Sequence, residues 1–318
     1  MSNASLVSNE PYVVVIGGAN IDVCGRPANA LNMHDSNIGN LITSPGGVAR
    51  NIAENLVRLG VRTKLLSVVG ADQFGEILLT QANAAGIDVS DMVRLEGQKT
   101  STYLSVLDGT GDLLVAINDM EIVDKLDAEF LQQRLKIIKQ AAIVIADTNL
   151  SESALAYLVK SGAANPLIVD AVSITKAVRI KPHLGYVHTL KANLLEAEVL
   201  CGIKPSACGT YLEMAQWFHD AGVKRIFITL GPQGVFYSDA YDHGIVESRL
   251  KSPVINASGA GDAFVAAVAF AWFNEQKIKA TAEFAISAAN VALSHSATIN
   301  PDMSVSTVNE IRSNEYGE

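Results

Sequence analysis

The sequence predicts an α/β fold in which a mostly parallel central sheet carries helices on both faces and a small β lid. Three observations predict it. Short runs of β-branched and apolar residues, such as 12–17, alternate with segments whose apolar residues recur at helical spacing. From residue 127 onward the alternation is regular, as βαβ crossovers between parallel strands require. Two stretches, about 24–45 and 100–118, break the pattern and are read as lid segments of a single domain spanning 1–318.

Residues 12–17 form a continuous β-branched run ending in Gly17-Gly18, which suits a strand buried on both faces. The stretch 24–45 mixes Asn, Asp, Gly and Pro with Ile38, Leu41 and Ile42, so it need not join the main sheet. After Gly46-Gly47, residues Val48, Ile52 and Leu56 define the apolar face of a helix that Gly60 ends. A strand over 63–70 and a helix over 74–85 follow. Residues 100–108 and 113–118 alternate around Gly109-Thr110-Gly111 as a hairpin would, and this hairpin is expected to pair with the earlier lid segment. The remaining pattern predicts helix 128–140, strand 143–147, helix 152–160, and strands 167–170 and 186–190. Helix 211–221, strand 225–231, an antiparallel piece 234–238, a short strand-like 253–255 and two last helices, 263–273 and 282–294, complete it.

Composition excludes several classes. Apolar residues make up 49% of the chain and charged residues 18%, with both signs interspersed, so a globular core is expected. A formal charge of −9, with no cluster of Lys and Arg, argues against a nucleic-acid partner. Cys24, Cys201 and Cys208 make no even framework and the six histidines show no ligand spacing, so neither disulfides nor structural zinc is indicated. The longest apolar run, 263–273, is far shorter than the roughly 18 residues of a membrane span. No charged start precedes a long apolar stretch, so a cytoplasmic location away from membranes is expected.

The sharpest local feature is Ser258-Gly259-Ala260-Gly261-Asp262, which opens the apolar helix. Small residues let backbone amides converge at a helix N-terminus, where unpaired N–H groups and the helix dipole attract a phosphoryl group. Asp262 stands where an acceptor could take a proton from an attacking hydroxyl, or where a plain cap residue would stand. Neither GxxxxGK[ST] nor GxGxxG is present. Gly46-Gly47 with Asn51 one turn into the helix fits close substrate approach, or a tight turn beside an exposed amide. Asp22 lies near the carboxyl edge of the sheet, where it could accept two sugar hydroxyls or cap its own turn. Asn193 and Glu196 suit a hydrated metal near phosphates and equally make a capping-box pattern. Thr229, Gly231 and Gly234 fit either a nucleotide-phosphate cradle or a turn.

Taken together, these pieces resemble the ribokinase (PfkB) carbohydrate kinase family over essentially the whole chain. Gly46-Gly47-Val48-Ala49-Arg50-Asn51-Ile52-Ala53 is similar to the family's first signature and Ser258 to Phe264 to its second, with Asn20-x-Asp22, Asn193-x-x-Glu196 and Thr229-Leu230-Gly231-x-x-Gly234 in family order. The resemblance implies ATP and Mg²⁺ as cofactors and a ribose-type hydroxymethyl group as phosphoryl acceptor. Asn20, Asp22, Gly46, Gly47 and Asn51 would then hold the sugar, Asp262 would act as base, and Gly259, Ala260 and Gly261 would cradle the phosphoryl. Asn193, Thr229, Gly231, Gly234 and Asn290 would border ATP, and Glu196 would position the metal.

Within the family the chain resembles the bacterial pseudouridine kinases. The resemblance rests on Ala19 to Val23, His34-Asp35-Ser36-Asn37, Ser101-x-Tyr103-Leu104-Ser105, the stretch 115–120 and Asn300-Pro301-Asp302-Met303-Ser304. It implies a nucleoside substrate, with Asn118 and Asp119 among the candidate readers of the base beside Asp35, Ser101 and Thr102. Other nucleoside or sugar kinases, and a catalytically silent sugar-binding sensor, are the competing readings. Asn256-Ala257 stands where the family usually has Asp-Thr, which puts activation by a monovalent cation in doubt. Open lid edges predict a homodimer joined through the lid.

Overall fold

The structure, a computed structural model, describes residues 10–161, 165–204, 210–250 and 253–317, and Cys208 lies outside them. In chain order the first half holds β1 (Val13–Ile16), β2 (Asn20–Pro27), β3 (Gly39–Gly46), α1 (Val48–Arg58), β4 (Thr63–Leu66), β5 (Val68–Gly70), α2 (Gln73–Ala84), β6 (Val93–Leu95), β7 (Thr102–Leu107) and β8 (Leu113–Asp119). Then come α3 (Ala128–Gln133), α4 (Leu135–Gln140), β9 (Ile143–Asp147), α5 (Glu152–Lys160), β10 (Leu167–Asp170), α6 (Ile174–Ala177), β11 (Thr189–Asn193) and α7 (Leu194–Cys201). The chain continues through α8 (Thr210–Asp220), β12 (Arg225–Thr229), β13 (Val235–Ser238), β14 (His243–Val246), α9 (Ala260–Phe273), α10 (Ile278–Leu293) and α11 (Val305–Tyr316).

Eight strands form the main sheet in the order β14-β13-β12-β11-β10-β9-β1-β4, parallel from β12 through β4 and antiparallel at β13 and β14. Strand alternation divides the core in two. Val13, Val15, Ile143, Ile145, Ile168 and Phe227 pack against α1, α9 and α10, whereas Val14, Ile16, Val144, Val169, Leu190 and Ile228 face the helices between α3 and α8. A separate four-stranded sheet, β3-β2-β7-β8, forms the expected lid, with β7 and β8 as the expected hairpin and β2 parallel to β7. It begins at Asn20, earlier than residue 24, so Asp22 lies within a strand and not in a loop.

Several boundaries differ for identifiable reasons. The strand expected over 63–70 divides at Ser67, whose hydroxyl donates to the Gly17 carbonyl (2.7 Å); β4 joins the main sheet and β5 pairs with β6 instead. The helix expected over 128–140 breaks at Arg134, which stacks over Phe130 at 4.0 Å and donates to the Asp91 carbonyl (2.8 Å). Residues 178–186 wind as a tight 3₁₀ turn around Pro182, so the strand expected at 186–190 begins at Thr189. Residues 253–255 form no strand, and α9 and α10 each start earlier than their apolar faces suggested. Helix α11 is not anticipated by the sequence pattern because it buries few side chains, Val308 and Glu315 among them.

Candidate active site

The site lies where the carboxyl edge of the main sheet meets the lid and the N-termini of α1 and α9. Gly47 ends the lid sheet and starts α1 with φ +98°, and a side chain there would run into the backbone of Gly18 and Ala19. Its neighbour Gly46 is cross-strand from Asn20, and a methyl group on Gly46 would overlap the Asp22 carboxylate. Asp22 is thereby set against bare backbone, with Oδ1 accepting from Asn20 Nδ2 at 2.6 Å. Burial raises its pKa, against the opposing pull of Asn20 and of the buried Arg50 guanidinium.

One turn into α1, Asn51 Nδ2 donates to Asp262 Oδ2 at 2.8 Å. The Asn51 oxygen faces Arg50 Nη1 at 3.4 Å, so the amide is oriented with its NH₂ toward the carboxylate. Arg50 is in turn paired with Glu54, and Glu54 with Arg58. Asp262 sits in the first turn of α9 behind Gly259, which adopts φ +81° at the N-cap position and sends no side chain back to cap the helix. Its expected alternative role as the cap is therefore not what the geometry shows. Asp262 is reachable from the cleft but closely enclosed by protein. Burial pushes its pKa up to about 7, Asp170 and Asp147 add to the rise, and the Asn51 amide and Lys191 oppose it.

The carboxyl ends of three neighbouring strands carry a row of charges that the sequence reading missed. Asp147 of β9 is in register with Asp170 of β10, and Asp170 with Lys191 of β11. All three continue the strand face that packs on α1 and α9. The Lys191 ammonium is 3.1 Å from Asp170 Oδ2 and would lie 3.0 Å from a methyl group on Gly261, so it adjoins the glycine turn. Burial works against its charge, but Asp170, Glu196 and Asp262 together outweigh that and raise its pKa. Asp147 Oδ2 accepts from the Gly18 and Ala49 amides (2.9 and 3.1 Å), tying the loop after β1 to the start of α1; burial pushes its pKa up to about 6. A single charged residue in each of three successive apolar strands, last in β9 and β10 and central in β11, was the available signal.

Asn193 and Glu196 form the capping box in full. Glu196 N donates to Asn193 Oδ1, while the Asn193 amide and backbone N–H donate to the two Glu196 oxygens, each at 2.8 Å. Beyond the N-terminus of α9 lies a cavity of about 600 Å³ bordered by Thr229, Gly231, Gly234 and Asn290 and reaching Ala260 and Gly261. Four of the five expected nucleotide neighbours thus border one cavity at the start of α9, whereas Asn193, in the capping box of α7, does not line it. Asn118 and Asp119 are exposed at the end of β8, with Asp119 opposite Thr102.

A carboxyl whose pKa is raised to about 7 beside a helix N-terminus without a side-chain cap, with a nucleoside-sized cavity reaching the same turn, is an arrangement suited to a phosphotransferase with an alcohol acceptor. The family model of the pfkB carbohydrate kinases matches residues 10–304, and the chain belongs to that family. It is 44% identical over 297 residues to the pseudouridine kinase of Escherichia coli (strain K12), covering 93% of this chain and 95% of the relative. Among solved structures, a carbohydrate kinase from Agrobacterium tumefaciens superposes with TM-score 0.84 at 26% identity, over 95% of this chain and 97% of that one. The ribokinase of Arabidopsis thaliana, solved with ribose and ATP, shares the fold with TM-score 0.85 at 21% identity, over 95% and 98%.

Proposed function

We propose that this kinase transfers the γ-phosphoryl group of ATP to the ribose 5′-hydroxyl of pseudouridine, giving pseudouridine 5′-phosphate. The observation that carries the reading is Asp262, a carboxyl poised near neutrality between the Asn51 amide and the first turn of α9. A relative named as a pseudouridine kinase, alike over nearly the whole chain, supports the substrate. Asp22, aided by Asn20, Gly46, Gly47 and Asn51, accepts the ribose hydroxyls; Asp262 takes the proton from the 5′-oxygen as it attacks. The open amides of Gly259 to Gly261, with the adjacent Lys191 ammonium, receive the transferring phosphoryl charge. Positioning supplies most of the rate, since phosphoryl transfer asks little covalent help of the protein.

Glu196 has both oxygens engaged by Asn193, a donor set that fits an outer-sphere partner of hydrated Mg²⁺ better than a direct ligand. When bound, the metal would neutralise charge on the nucleotide phosphates, and Asn193 and Glu196 would hold its water shell. Asn256 donates to the Ser296 carbonyl at 2.9 Å and accepts from the Ser258 amide, so its amide is committed to the loop and supports a reaction independent of potassium. The β2–β3 and β7–β8 sheet acts as a lid over a single kinase domain and joins two copies, and the enzyme works in the cytoplasm. No helix among the described residues is long and apolar enough to cross a membrane. Incubation with ATP, Mg²⁺ and pseudouridine tests the reading. A product with the mass of the nucleoside monophosphate is expected, and its absence while another nucleoside or a sugar is phosphorylated would replace the substrate.

A further inference from the structure

The nucleotide-sized cavity has walls that are mostly apolar, and one helix face supplies much of them. Ile286, Ala289, Asn290 and Leu293 fall at i, i+3, i+4 and i+7 along α10, so Asn290 is the lone amide on an otherwise apolar wall. It is 1% exposed. Behind it, Asn290 Nδ2 donates to both carboxyl oxygens of Glu315 on α11, at 2.9 and 3.1 Å. A carboxylate only accepts, so the NH₂ must face Glu315 and the amide oxygen must face away from it. Asn290 borders the cavity, and its NH₂ is held by Glu315 on the side of α11, which leaves the amide oxygen as the group it can offer a ligand.

Glu315 is itself fixed in place. Arg249 donates to its backbone carbonyl at 2.9 Å, and the neighbouring Tyr316 hydroxyl donates to the Glu247 carbonyl at 2.7 Å. Residues Ser248 and Leu250 between and beside these anchors border the same cavity. Helix α11 therefore holds both the wall formed by residues 247–250 and the orientation of the Asn290 amide.

We infer that Asn290, locked by Glu315, reads the base of the phosphoryl donor by offering it a hydrogen-bond acceptor only. The inference rests on reading this cavity as the nucleotide site. A base carrying an exocyclic amino donor, as adenine does, satisfies the oxygen. A purine with a carbonyl at the same position sets two acceptors against each other in a largely desolvated pocket, where an unmatched polar group is expensive. Glu315 is a positioning residue here, acting through the orientation of Asn290.

Calorimetric titration of the whole protein with ADP and with IDP, which differ at that ring position, tests the assignment without any acceptor substrate. The wild type should bind ADP roughly 5- to 100-fold more tightly than IDP. In Glu315→Gln the new amide can donate to the Asn290 oxygen and let the Asn290 amide turn over, so the preference should shrink, with IDP gaining affinity in absolute value. A merely structural role for Glu315 would weaken both ligands together. Equal affinity of the wild type for ADP and IDP overturns the role of Asn290 and leaves the nucleotide site standing. Binding of neither overturns both. A folded Glu315→Gln variant that keeps the full wild-type preference overturns the lock.

Discussion

Asp262 has two opposing demands on it. As the proposed base it must be ionised to accept a proton, yet its surroundings hold its pKa up at about 7. Turnover should therefore fall as pH drops below about 7, and a pH–rate profile of kcat reads this directly. Asp262→Asn should lose about 10²- to 10⁴-fold in turnover, the range of a positioned base. The stability effect runs the other way. Below the ordinary value of 3.8 the carboxyl is protonated whether folded or not, so it imposes no penalty. As pH rises from there through the folded pKa, the unfolded chain ionises first and the fold loses stability. Asp262→Asn should accordingly gain in Tm relative to wild type on going from pH 4 to pH 8, and thermal melts at the two pH values check it. Asp22→Ala, by contrast, should chiefly raise KM for the nucleoside, because a carboxylate on the sugar hydroxyls acts in ground and transition states alike. Asp262 and Asn51 could be picked out in the sequence by the glycines that precede them, and Asp22 by its place just after the first strand. Lys191, Asp170 and Asp147 could not be, since their meeting depends on the cross-strand register of β9, β10 and β11, which apolar periodicity does not set.

Element by element, the parallel strands and crossover helices were readable because their apolar periods are unambiguous. What escaped was decided by single tertiary contacts. Ser67 reaches the Gly17 carbonyl where one expected strand divides, and Arg134 reaches the Asp91 carbonyl where one expected helix divides. At α7 Asn193 and Glu196 form the capping box that their spacing predicts, complete on both sides. Asn193→Ala should cost about 0.5–2 kcal/mol of stability in urea titration, the usual loss for a removed N-cap. In the loop before α9, the Asn256 amide bonds the Ser296 carbonyl, where a carboxylate would instead present negative charge. Replacing potassium by tetramethylammonium should leave turnover unchanged, and a large loss would show that a cation binds there despite the amide.

At the scale of the molecule, the main sheet is sealed by helices on both faces while the lid is not. Ile38 and Leu41 are 86% and 77% exposed, Ile117 is 60% exposed, and the outer strands β3 and β8 leave their edges unpaired in the lid sheet. Such a surface is one that proteins ordinarily cover, and a second lid would cover it. The mass in solution should be that of a dimer, and Leu41→Lys should shift it toward the monomer; a monomeric wild type would remove the lid-to-lid contact. The lid also bears on the choice of substrate. Pseudouridine exposes a ring N–H that uridine lacks, and an acceptor facing it would be left unpaired by uridine. The most direct measurement is kcat/KM with ATP for pseudouridine and for uridine on the same preparation. A preference for pseudouridine of at least about tenfold is expected, within the up to roughly 10⁴-fold that such a missing-group mismatch can produce. Equal efficiency on the two nucleosides would contradict it.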